Sequence, residues 1–148
     1  MRRIIDRIAP SMRKLPLLVV FCLSMAACFP HYISDYDSAT YRNLTNLKAE
    51  AMVFYDELAK DPTGGGLSVQ DIKTLQLDAS KTYEYEKGKT KNDETITQIE
   101  EIKKMLVGSI DLLHKSGKLS PDYIQDKREQ IDKAFEIAIK TEKSKLSK

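Results

Sequence analysis

The 148-residue chain has no tryptophan, only two histidines and two cysteines, and few aromatic residues of any kind. Each scarcity removes a class of chemistry. Zinc sites gather three or four Cys, His or carboxylate ligands. Neither H-E-x-x-H nor C-x-x-C occurs, and His31 and His114 stand far apart. No metal site and no cofactor are therefore expected. Ser109 and Ser116 flank His114, but no G-x-S-x-G elbow accompanies them. The "GKT" at Gly88–Thr90 lacks the glycine that a phosphate-binding loop places five residues earlier, where this chain has Tyr83. It reads as a turn, as does Gly64–Gly66. "DYD" at Asp35–Asp37 lacks the turn glycine of a calcium loop and reads as an acidic helix start. The carboxylate pairs Glu84/Glu86 and Glu100/Glu101 lie among lysines and read as solvated surface charge. No catalytic residue is assigned, and the chain is not expected to be an enzyme.

Long apolar runs are also missing, with one short exception. Leu15 to Ala27 carries no charge over 13 residues, fewer than the roughly 20 a membrane-spanning helix needs. Arg2, Arg3, Arg7, Arg13 and Lys14 precede it against the single acid Asp6, Pro16 sits near its start, and Pro30 follows. A basic segment, a short apolar segment and the small residues Ala26 and Ala27 have the form of a secretory signal peptide over residues 1–27.

The end of that run, "LSMAAC", resembles the lipobox of bacterial lipoproteins, with Met25 where leucine is commonest. The resemblance implies cleavage between Ala27 and Cys28, a diacylglyceryl group on the Cys28 thiol, and acylation of its new amine, as with palmitate. Two or more acyl chains anchor a protein stably, since each buried methylene contributes about 0.8 kcal/mol. Met12 opens "MRKLPLLVVFCLSMAAC", which alone has the basic-then-apolar form of such a signal, so Met12 is a second candidate start. Cys22 would be discarded and Cys28 consumed, leaving no thiol for a disulfide. Loss of residues 1–27 takes five of the 24 basic side chains and one of the 22 acids, leaving 19 against 21, a net of −2. Nucleic-acid binding, which needs a concentrated basic face, is not expected.

After a tether over residues 28–37, apolar residues recur at helical spacing in four blocks within 38–148. The first has Asp37 as N-cap and a stripe of Tyr41, Leu44, Leu47, Ala51, Phe54, Tyr55 and Leu58, and it stops near Pro62. The second starts with Ser68 and Asp71 as a capping box, between Leu67 and Ile72 as a staple. Its face of Ile72, Leu75, Ala79 and Tyr83 is thin. The third, from Asn92 or Asp93 to Gly117, carries Ile96, Ile99, Ile102, Leu106, Ile110 and Leu113. The fourth opens with Ser120 as N-cap and Pro121 at the first helical position, then runs through Ile124, Ile131, Phe135, Ala138 and Ile139. Similar lengths and short turns predict an all-α, antiparallel bundle of three or four helices. The polar second helix is the one expected to pack loosely, and little apolar surface is left for a large cavity. Lys140, Lys143, Lys145 and Lys148 against Glu142 read as a frayed basic tail.

Two tyrosines are singled out for contact with another protein. Tyr83 and Tyr85 are two apart, so a helix cannot turn both toward one core. "ISDYDSATYRNLTNLKAEAMVFYDEL" looks like the start of the mature region in small, uncharacterised helical envelope lipoproteins of Gram-negative bacteria and their mobile elements. That resemblance implies an address and a fold class but no active site. Phe29, not aspartate, follows Cys28, which resembles the pattern of lipoproteins sent to the outer membrane, facing the periplasm. The expected function is non-enzymatic: binding or assembly with an envelope protein, by a chain held to the bilayer through Cys28. Two alternatives are an exclusion lipoprotein of a phage or plasmid and a structural spacer that touches the cell wall through its basic tail. The spacer predicts that removing residues 140–148 ends retention on the wall while folding survives.

Overall fold

The structure, a computed structural model, describes residues 34–147. Four α-helices follow in order: α1 Ser38–Lys60, α2 Val69–Lys87, α3 Asp93–Ser116 and α4 Pro121–Ser144, with a short 3-10 turn at Lys145–Ser147. No strand occurs among the described residues.

The helix starts follow local chemistry. Asp37 accepts from the Ala39 amide at the start of α1. Ser68 and Asp71 form the complete reciprocal capping box before α2, and Ser120 caps α4 with Pro121 behind it. Gly117 closes α3 at φ +71, the left-handed conformation that glycine adopts at least cost. Asn92 precedes α3 but makes no capping bond, because its side chain is engaged elsewhere.

The helices form a ring, α1 against α2 and α4, and α3 against α2 and α4. Cross-helix pairs fix the direction of α4 relative to α1. Lys48 meets Asp132 at 2.7 Å, and one turn pair further along α1 but back along α4, Asp56 meets Arg128 at 2.7 Å. The two run antiparallel. At one pole the Leu119 amide donates to the Pro62 carbonyl, joining the α1–α2 and α3–α4 loops. At the other the Ser34 amide donates to the Lys91 carbonyl, joining the entry of α1 to the α2–α3 loop. This is an up-down four-helix bundle, and α2 is a full member through buried Leu75 and Ala79.

The core contains Leu44, Leu47, Phe54, Tyr55, Leu58, Ile99, Ile102, Leu106, Ile110, Ile131 and Phe135, nearly all of them fully buried. Each such side chain stabilises the fold by roughly 1.5–3 kcal/mol through apolar surface removed from water. One hydroxyl chain crosses it: Tyr55 lies 2.8 Å from Ser109 Oγ, which lies 3.1 Å from the Tyr123 hydroxyl.

Three expectations are corrected. Glu86 is not solvated; it is completely buried. The C-terminus is not a frayed tail, because α4 continues to Ser144 and both Glu142 and Lys145 are buried. Residues 34–37, at the end of the expected tether, are bonded into the bundle. The physical reason is common to all three: these polar groups meet one another at the pole where α1 begins.

Candidate interaction surface

At that pole each helix places a polar side chain where its apolar stripe would continue: Thr40 on α1, Thr82 and Glu86 on α2, Thr95 on α3 and Glu142 on α4. Burying a charge is costly unless it is paired and hydrogen-bonded, and these are. Glu86 accepts from Thr40 at 2.6 Å, from Asn92 at 2.7 Å and from Lys89 at 3.1 Å. Glu142 accepts from Lys145 at 2.6 Å and from the Asp37 amide at 2.6 Å. Lys145 also reaches Ser34 at 3.0 Å and Thr95 at 3.2 Å. Asp37 receives Lys89 at 2.7 Å and the Tyr85 hydroxyl at 2.7 Å. Lys89, then Tyr85, hold the Asp37 carboxyl well below the usual carboxylate range. Burial alone would lower the Lys89 ammonium, but its bonds to Asp37 and Glu86 outweigh that and the net shift is upward. Asp37, Thr40, Glu86, Lys89, Glu142 and Lys145 all have partners within the cluster, so this assembly reads as structure and not as a site awaiting a ligand.

The surface between α1 and α2 is different. Leu75 and Ala79 are the only fully buried apolar residues on α2, too few to close the seam against α1. A crevice of about 530 Å³ opens there, lined by Ala49, Val53, Phe54, Leu67 and Leu75 and edged by Glu50, Glu57 and Asp71. A more polar continuation of about 360 Å³ runs past Asn43, Asn46, Asp78, Lys81 and Tyr85, with Glu50 shared between the two. The thin apolar face of α2 predicts loose packing, but the size of the opening differs from the expectation that little apolar surface is left for a cavity.

Glu50 stands at the middle of the crevice. One of its carboxylate oxygens, Oε2, is buried and has no hydrogen-bond partner, and no ion pair reaches the group among the described residues. Burial first, and the nearby Asp78 second, push its pKa up, with Lys81 offsetting part of the rise. Beside it Val53 is 59% exposed.

The two tyrosines expected to make contacts are on separate faces. Tyr85 is 42% exposed and lines the polar half of the crevice, while its hydroxyl is held by Asp37. Tyr83 is half-buried in a different groove between α2 and α3, with Lys103 4.8 Å and Lys87 5.5 Å from its ring centre. Cys28 and Ala27 lie outside the described residues. His114 is exposed in the last turn of α3. Glu50 and Val53 were missed in the sequence because they sit one position off the core stripe of α1, where a glutamate and a valine look like ordinary surface residues.

Among the described residues no three His, Cys, Asp or Glu side chains gather to hold a metal ion, and no helix is long and apolar enough to cross a membrane. No family model, no curated protein and no solved structure matches the chain.

Proposed function

We propose that the protein is a lipid-anchored lipoprotein of the bacterial envelope that binds another envelope protein and catalyses no reaction. The observation that carries this reading is "LSMAAC" at the end of a short basic-then-apolar leader, placed six residues before Ser34, where the bundle is pinned to the Lys91 carbonyl. Six extended residues reach about 20 Å, so a bilayer anchor at Cys28 would hold the bundle close to the membrane. Phe29 after that cysteine favours the outer membrane, facing the periplasm. The α1–α2 crevice is the surface offered to the partner.

The test is the fate of Cys28→Ala in intact cells fed a labelled fatty acid. The parent chain should be shortened, labelled and recovered with membranes, and the variant should persist as an unlabelled full-length precursor. Normal shortening of the variant would sink the lipoprotein reading. Among the described residues of the basic tail, Lys140 and Lys143 are exposed and keep the cell-wall spacer as a second reading. Removing residues 140–148 no longer tests it, since that deletion also takes buried Glu142 and Lys145 out of the fold. Lys140→Glu with Lys143→Glu is the appropriate variant, and it should leave retention on the wall unchanged.

A further inference from the structure

Asn43, Asn46, Glu50, Val53 and Glu57 on α1 line the crevice at alternating spacings of three and four residues. Asp71, Thr74, Asp78, Lys81 and Tyr85 do the same on α2. Such strips are the two walls of a seam that accepts a further helix, because a three-four alternation keeps side chains facing one partner along its length. The α1 strip spans about 21 Å at the helical rise of about 1.5 Å per residue. Four of the ten positions are acidic. Asp78 is paired with Lys81 at 2.9 Å and Glu57 with Lys60 at 2.7 Å. Asp71 is held in the capping box of α2, which leaves Glu50 as the carboxylate of the crevice without a partner. The floor beneath is apolar, from Phe54, Leu67 and Leu75. At its centre the buried Glu50 oxygen lacks a donor.

We infer that the crevice binds a cationic amphipathic helix of about four turns from a partner protein. Its apolar face would cover Val53 and Leu75, and a lysine or arginine would reach Glu50. A wholly apolar helix would leave the Glu50 oxygen without a donor, a neutral polar one would supply a bond but no counter-charge, and an acidic one would set like charge against it. The inference rests on the reading that this is a binding protein, and it names the chemistry of the partner.

The test is photo-crosslinking in intact cells, with a photoreactive amino acid placed in the full chain at Val53. The same residue at Ile137, 50% exposed on α4, is the control. Both positions are open to solvent, so neither replacement disturbs the core. The expected product at Val53 is a partner peptide that, when sequenced by mass spectrometry, carries basic residues and apolar residues at three-four spacing. Glu50→Gln should cut its yield about tenfold, the effect of removing one charge partner at a desolvated contact. Glu57→Gln, at the rim, should reduce it less. A captured segment without basic residues, a segment from a second copy of this chain, or a yield at Val53 no greater than at Ile137 overturns the inference. So does a yield indifferent to Glu50→Gln. When these results come from shortened, lipid-labelled protein, the inference falls alone and the lipoprotein reading stands.

Discussion

The backbone amide of Asp37 donates to Glu142 Oε1 at 2.6 Å, across 105 residues of chain. The bond joins the residue that caps the first helix to the last turn of the fourth. Its acceptor is a completely buried carboxylate whose other oxygen holds Lys145. The two ends of the described region are therefore fastened to each other at one pole, and Lys145 is part of the fastening.

Lys145→Met should be among the most damaging substitutions near the C-terminus. It leaves Glu142 buried with its charge uncompensated, which typically costs about 3–5 kcal/mol. Urea denaturation followed by circular dichroism measures it, and a loss below about 1 kcal/mol would show that Glu142 finds water or another donor. Lys143→Met, two residues away and exposed, should change stability by about 0.5 kcal/mol or less.

Glu50→Gln should raise stability, by about 1 kcal/mol, while weakening binding. A carboxylate charge partly removed from water with no counter-charge is a cost carried by the free protein, and the amide removes that charge; the upward pKa of Glu50 has the same origin. The sign follows from linkage. A carboxyl whose folded pKa is raised stabilises the fold while protonated and loses that contribution as pH rises through the folded value. Ionised Glu50 therefore opposes folding at neutral pH. A thermal melt of the variant that is lower than the parent's would contradict this account of the crevice.

Burial pushes the Tyr55 hydroxyl up to about 12, with its bond to Ser109 offsetting part of the rise. The unfolded chain releases that proton near pH 10, so the contribution is intact below pH 10 and is lost as pH climbs through 12. Over that window denaturation experiments should show about 2–3 kcal/mol of alkaline destabilisation from this group. Tyr55→Phe should cost about 1 kcal/mol at neutral pH and flatten the alkaline slope.

Two glycines separate backbone strain from crowding. Gly64 and Gly117 both have positive φ, +72 and +71. A Cβ on Gly117 would meet nothing within 4 Å, whereas one on Gly64 would lie 3.0 Å from Leu113 Cδ2. Gly117→Ala should cost about 1–2 kcal/mol for the left-handed conformation alone, and Gly64→Ala should cost more. Equal losses in the two variants would mean that Leu113 moves aside freely.

The apolar stripes and the caps were legible in the sequence because each depends on residues within one or two turns. α1 runs over the span that Asp37 and Pro62 delimit, and Leu44, Leu47, Ala51, Phe54, Tyr55 and Leu58 are all buried as their spacing requires. Where the reading failed, the deciding partner lay on another helix. Glu86 looked solvated because Thr40 and Asn92, which make its burial tolerable, are remote or across a turn. Lys145 looked like a tail because Ser34 and Thr95 are 111 and 50 residues away. Tyr41 and Ile96 were placed in the core, yet their neighbours Thr40 and Thr95 are the buried ones. A stripe read by apolarity alone slips at the end where the core turns polar. The thin face of α2 was legible, but the size and place of the crevice were not, because they depend on how α1 and α2 sit against each other.

The closure of the ring also dictates an order of events. α1 packs more extensively on α4 than on its neighbour in sequence, α2. A chain emerging from its N-terminus makes α1 first, but the surface that covers it arrives with the final 24-residue helix. Long-range closure of this kind is slower than zipping local contacts. Until then Phe54 and Tyr55 have no complete core to enter, and Asp37 has no Glu142 to hold. A polypeptide that must be threaded through a membrane before it folds, as proposed for this one, is kept threadable by that delay.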